Sequence, residues 1–344
     1  MARRLTEIVD QAILPAVHDA RTSARVPGAA GPQVEESAVA ATGGTRAIVA
    51  ALLANAGIAV AKFIGYLITG SSSMLAEAVH SVADTSNQGL LLLGGRQAKR
   101  AATEEHPFGY GRDRYFYSFV VALLLFTLGS VFALYEGIHK LESHEPLTSP
   151  LVAVLILVVA IGLESWSFRT AIHESRPLKG SGTWWQFIRQ SKVPELPVVL
   201  LEDLGALVGL ALALLGVGLT VLTGDSVFDA IGTICIGVLL GVIAIILIIE
   251  MKSLLIGEGA TPPVLAKIVS AIESGDVERV IHIKTQYLGP EELLVAAKVA
   301  LPPGRPVEDV ARAIDEAEVR IRAAVPEARV IYLEPDLDRT PVAS

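Results

Sequence analysis

The chain has 344 residues, 52% of them apolar and only 19% charged, whereas soluble domains carry about 25% charged residues. A water-soluble globule of that composition would expose a large apolar surface, so an ordinary soluble enzyme is excluded, and the chain is too apolar to be mainly disordered. The formal net charge of −8 argues against a nucleic-acid partner, because neutralising phosphates needs clustered Lys and Arg.

The first 45 residues are polar, and a Gly/Pro-rich stretch over 27–44 reads as linker. Before it, Leu5, Ile8, Val9, Ile13 and Leu14 lie at near-helical spacing, which suits a short amphipathic helix on a membrane surface. Glu7 and Asp10 break any apolar core that a signal peptide would need. Six long apolar runs follow, at 47–69, 74–95, 115–141, 151–170, 196–222 and 227–249. A bilayer core of about 30 Å needs about 20 helical residues. These runs lack the alternation of barrel strands, so each predicts a membrane-spanning helix. The single cysteine, Cys235, falls in the sixth run. It has no disulfide partner in the chain and leaves no Cys-based zinc cluster.

The linkers orient the bundle. Arg96, Lys99, Arg100, Arg112 and Arg114 lie between spans two and three, and Arg176, Lys179, Arg189 and Lys192 between spans four and five. Arg3, Arg4, Arg21, Arg25 and Arg46 precede the first span, whereas the loops at 70–73, 142–150 and 223–226 carry no Lys or Arg. Basic residues stay on the cytoplasmic side, so both termini and the two basic loops are expected there. Trp184, Trp185 and Phe187 suggest that the second basic loop is anchored at the interface.

After residue 257 the composition is that of a soluble domain. Helices are predicted at 261–274 and 306–324, and strands at 280–287, 293–301 and 329–333. This α-β-β-α-β order suits a small α+β sandwich, in which a second copy of the chain would help to complete a marginal core. The expected organisation is a cytoplasmic N-terminal tail over 1–45, a transmembrane domain over 46–256, a cytoplasmic domain over 257–338 and a tail over 339–344.

Ionisable groups at membrane depth cost at least about 2.5–3.5 kcal/mol on insertion scales, so each is a functional candidate. His80 and Asp84 are four residues apart in the second span and project from one helical face. An imidazole and a carboxylate so placed can share a divalent cation such as Zn²⁺, Co²⁺, Fe²⁺ or Mn²⁺; a His–Asp pair that only supports helix packing is the other reading. Glu202 and Asp203 are adjacent near the start of the fifth span, about 100° apart on a helix. One can face the bundle while the other reaches round or meets water, or both can belong to a solvated helix start. Together, spans two and five offer the four ligands that a tetrahedral site needs. Glu164, Glu77 and Lys62 read first as structural residues, with Lys62 snorkelling to the interface.

Two passages resemble the cation diffusion facilitator family. Residues 72–88 hold His80-Ser81-x-x-Asp84 with Asn87 downstream, and His106-Pro107-Phe108-Gly109-Tyr110-Gly111-Arg112 is similar to the family's H-x-F-G-H-G-K loop. Six spans followed by an α-β-β-α-β domain complete the likeness, which covers about 47–333. It implies six transmembrane helices with a cytoplasmic ferredoxin-like domain, and a homodimer that exchanges a divalent cation for protons. It also implies metal ligation by His80, Asp84, Asp203 and Glu202, with no catalytic residue and no cofactor besides the transported ion. Zinc efflux from the cytoplasm across the plasma membrane is the expected activity. Preference for manganese, iron or cobalt, and a membrane metal sensor without flux, are the alternatives.

Several departures from the family pattern matter. Val199 stands where family zinc exporters commonly have a His in the fifth helix, so Glu202 has to replace a nitrogen with oxygen, which makes the site harder. Tyr110 replaces the second loop His, which leaves His106 a poor auxiliary site. His282 matches one family ligand position in the soluble domain, but Ala297 and Tyr332 stand where further His residues are usual, so His282 reads as structural. An intramembrane enzyme is disfavoured, because no nucleophile accompanies the polar residues, and no GxxxxGK[ST] loop for nucleotide is present.

Overall fold

The computed structural model describes residues 55–143 and 149–337. All of them belong to one compact unit, Leu52–Ser344. The predicted N-terminal amphipathic helix, the start of the first span and the last tail lie outside the described residues.

Helix α1 is Asn55–Thr69, and α2 is Ser72–Gln97, capped by Ser71, whose side chain accepts from the Met74 amide. Helix α3 runs from Asp113 to Ser143 and contains a π-helical segment at Leu125–Val131. Helix α4 is Pro150–Lys179, the short α5 is Trp184–Gln190, α6 is Glu195–Thr223 and α7 is Val227–Ile256. Thus α1, α2, α3, α4, α6 and α7 fall on the six predicted spans. Of these, α3, α4, α6 and α7 are long and apolar enough to cross a membrane by length and composition. Helix α2 is long but carries Glu77, His80, Asp84 and Arg96. Helix α4 continues nine residues beyond its predicted end and accommodates Pro177 in its last turn, where little helix remains to disrupt.

The bundle shows apolar side chains outward and packs small ones inward. Leu151, Leu155, Trp166 and Leu222 are exposed, while Ala153, Ala160, Ala206, Ala213 and Ala244 are buried. Hydrocarbon gives no hydrophobic drive between helices, so close van der Waals contact has to supply it. The α3–α7 crossing illustrates this. A Cβ on Gly137 would meet the Ile234 amide nitrogen at 2.9 Å, and a Cβ on Gly237 would meet the Leu134 amide nitrogen at 2.9 Å. Ser130, in the π segment, donates to the Gly237 carbonyl at 2.8 Å. Gly137→Ala is therefore expected to cost about 1–3 kcal/mol by overpacking, read as a lower unfolding midpoint in detergent. An unchanged midpoint would show that the crossing is not as tight as its backbone distances indicate.

At the N-terminal end of α2, Asp229 of α7 accepts from the Ser71 hydroxyl and the Ser72 amide, both at 3.0 Å. The carboxylate thus satisfies a helix N-terminus that would otherwise be buried without a partner.

The soluble domain comprises α8 (Pro262–Glu273), β1 (Arg279–Gly289), β2 (Glu292–Ala300), α9 (Val307–Ala324) and β3 (Val330–Asp336). The sheet order is β1-β2-β3, with β1 antiparallel to β2 and β2 parallel to β3. A parallel pair needs a crossover, which α9 provides, giving a ferredoxin-like α+β arrangement. Ile268, Ile272, Leu293, Val295, Val299 and Ile321 form its core. At the junction with the bundle, Lys192 ion-pairs with Glu258 and lies over the Tyr287 ring. Arg114 grips both oxygens of Glu195, at 2.5 and 2.8 Å. Burial raises the pKa of the Tyr287 phenol above its ordinary value, so the ring stays neutral beneath the ammonium.

Candidate metal centre

Helical periodicity places Glu77, His80, Ser81, Asp84 and Asn87 on the bundle-facing side of α2, and all five are buried. His80 is 1% exposed and its Nε2 lies 3.5 Å from Asp84 Oδ2. Across the bundle, Glu202 of α6 accepts from Asn87 Nδ2 at 2.6 Å. The carboxyl groups of Asp84 and Glu202 interact electrostatically across the α2–α6 contact. Two carboxylates that share a buried site repel each other unless a proton or a cation neutralises the charge. Glu164 of α4 lies within electrostatic range of Asp84, Glu202 and Asp203.

Several buried polar atoms here have no hydrogen-bond partner. Neither His80 nitrogen has one, nor does Asp84 Oδ1 or Asn87 Oδ1. Buried polar atoms left unpaired cost about 1–3 kcal/mol each, and a divalent cation is a partner that lone pairs of this kind can take. The π segment of α3 adjoins the imidazole, with a Cβ position on Gly129 3.9 Å from His80 Nδ1. Single π turns inside α-helices often mark functional sites.

The acidic pair on α6 diverges, as adjacent helical residues must. Glu202 joins Asp84 and Asn87, whereas Asp203 turns to α4 and accepts from Ser167 Oγ at 3.0 Å. His80, Asp84 and Glu202 are thus linked through Asp84, with Asp203 on the α4 side. Among the described residues, no three His, Cys, Asp or Glu side chains are grouped so as to hold a metal ion. Sequence reasoning had no basis for singling out Ser167, because nothing in α4 alone shows which carboxylate it will meet. The π segment carries no sequence signal either.

His106 packs edge-on to Tyr110, with ring centroids 4.7 Å apart, in an exposed loop. His282 is exposed on β1, opposite Lys298 of β2. Lys298 pairs with Glu334 at 3.0 Å, so an ammonium stands where a second ligand would be useful. His282→Ala is expected to leave bound metal per chain and oligomeric state unchanged and to alter stability by less than about 0.5 kcal/mol. Loss of one metal equivalent per chain would make His282 a ligand.

Comparison with known proteins places this geometry. Residues 48–256 match the family model described as the cation efflux transmembrane domain. The chain is 34% identical over 242 residues to the mouse (Mus musculus) protein named "Proton-coupled zinc antiporter SLC30A9, mitochondrial", an alignment covering 69% of this chain and 42% of that protein. The human (Homo sapiens) protein of the same name is 32% identical over 241 residues, covering 69% and 42% respectively. "Metal tolerance protein C4" of Arabidopsis thaliana is 30% identical over 259 residues, covering 74% and 56%. The chain thus spans about half the length of these relatives, or less. A solved MamM CTD structure aligns at 18% identity and a TM-score of 0.22, covering 22% of this chain and 98% of its own. That score is too low to carry the soluble domain's fold, which rests on its own strand order and register. The family match, spanning the helices that present His80, Asp84 and Glu202, identifies the chain as a multi-pass membrane protein of the cation efflux family, the cation diffusion facilitators.

Proposed function

We propose that the protein exchanges a divalent transition-metal cation for protons at the α2–α6 site, with zinc as the first candidate cargo. The observation that carries this reading is the set of buried, unpartnered polar atoms on His80 and Asp84 beside Glu202. A transporter family and relatives named as zinc antiporters support it.

Metal ligands have to be deprotonated, so binding an ion expels protons. Asp84 and Glu202 supply the competition, because a proton bound to either carboxylate is one the ion has to displace. On the side with more protons, protons displace the ion; on the other, the ion displaces them. The oxygen-rich donor set keeps manganese, iron and cobalt as alternative cargoes. The ion is cargo here rather than a resident cofactor, and the transport site involves His80, Asp84 and Glu202, with Asp203 contributing from the α4 side. A homodimer, with both termini cytoplasmic and domain limits at 46–256 and 257–338, completes the proposal. The mouse and human relatives are described as mitochondrial, so they lend no support to the plasma-membrane location expected from the sequence.

Uptake into proteoliposomes under an imposed pH gradient tests this. Zinc is expected to accumulate on the side from which protons leave, and reversing the gradient should reverse the flux. Excess Mn²⁺, Fe²⁺ or Co²⁺ should compete in proportion to its own transport. Specific zinc binding with no flux under either gradient would favour the metal-sensor alternative.

A further inference from the structure

Transport as proposed leaves the buried Lys62 without a task. Helix α1 turns Ala59, Lys62, Gly65 and Thr69 inward and shows Val60, Phe63, Ile64 and Leu67 outward. Lys62 is 0% exposed, which corrects the expectation that it snorkels: its helical face points into the bundle. Its Nζ lies 3.1 Å from Glu77 Oε2 and 2.8 Å from Ser81 Oγ. Both partners are on α2, Glu77 three residues before His80 and Ser81 directly after it. Among the described residues, His80, Asp84 and Glu164 also lie within electrostatic range of this ammonium.

Glu77 has the chemistry of a ligand and lies on the same side of the helix as His80. Its Oε1 has no hydrogen-bond partner. Gly209 of α6 makes room for it, since a Cβ there would come within 2.7 Å of that oxygen. Lys62 occupies the other oxygen and compensates the charge.

We propose that Lys62 is a specificity-determining residue that holds Glu77 out of the ligand set and so limits the number of hard oxygen donors offered to the ion. The inference rests on the transport reading above. Without the ammonium, Glu77 has two free oxygens one helical turn from His80. Added carboxylate oxygen shifts preference from Zn²⁺ toward harder ions such as Mn²⁺, and the extra negative charge slows ion release.

The test uses the full chain in proteoliposomes, with Zn²⁺ and Mn²⁺ as probes for equilibrium binding and for KM and kcat of uptake. Lys62→Met should shift the Mn²⁺/Zn²⁺ affinity ratio toward Mn²⁺ by at least about tenfold and lower both KM and kcat. Glu77→Gln leaves the ammonium uncompensated and should weaken both ions by about tenfold. The double variant Lys62→Met/Glu77→Gln should return to the wild-type ratio. A purely structural ion pair would move both single variants in the same direction, so opposite signs with recovery in the double identify the proposed role. A wild-type ratio and turnover in Lys62→Met, or an unrecovered shift in the double, would overturn it. If Lys62→Met does not fold, the other two variants decide: weakened binding in Glu77→Gln with a normal ratio in the double supports the proposal, and any other pattern rejects it. Wild-type protein that moves neither ion would reject the transport reading instead.

Discussion

Asp84→Ala is expected to abolish proton-coupled metal uptake while the protein still folds. Asp84 is the residue through which the site is joined: it lies 3.5 Å from the imidazole on its own helix and interacts electrostatically with Glu202 on α6. Its removal takes a donor from the ion and also removes the carboxyl contact in which proton and metal compete. Changing even an outer partner of a metal ligand costs about 10–100-fold in affinity, so loss of a direct ligand should exceed about 100-fold. Folding should survive, because Glu202 keeps its hydrogen bond from Asn87 and the change relieves the crowding of two buried carboxyl groups. Asp84→Asn preserves the volume and should fail equally. The measurement is uptake into proteoliposomes beside the elution volume of the purified protein. Wild-type flux from either variant would remove Asp84 from the site.

The second large effect separates the adjacent acids on α6. Glu202→Ala should resemble Asp84→Ala, with flux lost and affinity reduced by at least about 100-fold. It also leaves Asn87 Nδ2 buried without its acceptor, a further cost of about 1–3 kcal/mol to the fold. Asp203→Ala should behave differently. Asp203 is held by Ser167 on α4 and lies within electrostatic range of Glu202. Its loss should weaken metal binding by about tenfold through charge alone and leave measurable flux. Titrating each variant with zinc and measuring uptake at saturating metal distinguishes the two roles. Equal loss of flux in both variants would make Asp203 as essential a ligand as Glu202.

The lipid-facing architecture was legible because hydrocarbon imposes it. Long apolar runs broken by basic loops can form only spans, and the α-β-β-α-β order followed from periodicity and turn residues. The His80–Asp84 pairing was legible for a similar reason, since four residues bring a helix back to the same face. What stayed hidden depended on which helix packs against which. No property of α1 alone shows that Lys62 meets Glu77 and Ser81, so snorkelling was the natural expectation for a lysine within an apolar run. Nothing in α6 alone shows which of Glu202 and Asp203 faces α2, because that depends on how α6 is rotated between α2 and α4. The π segment at Leu125–Val131 was hidden for the same reason. Its sequence suits an ordinary helix, and it packs against α2 and α7.

The most direct test of the central claim is calorimetric zinc titration of the purified protein in two buffers of different ionisation enthalpy, which counts bound ions and released protons together. An α2–α6 site at which protons and metal compete requires one tight zinc ion per chain, with release of at least one proton, and loss of both signals in the Asp84→Ala/Glu202→Ala double variant. Unchanged zinc stoichiometry and proton release in that variant would mean that the ion is bound elsewhere.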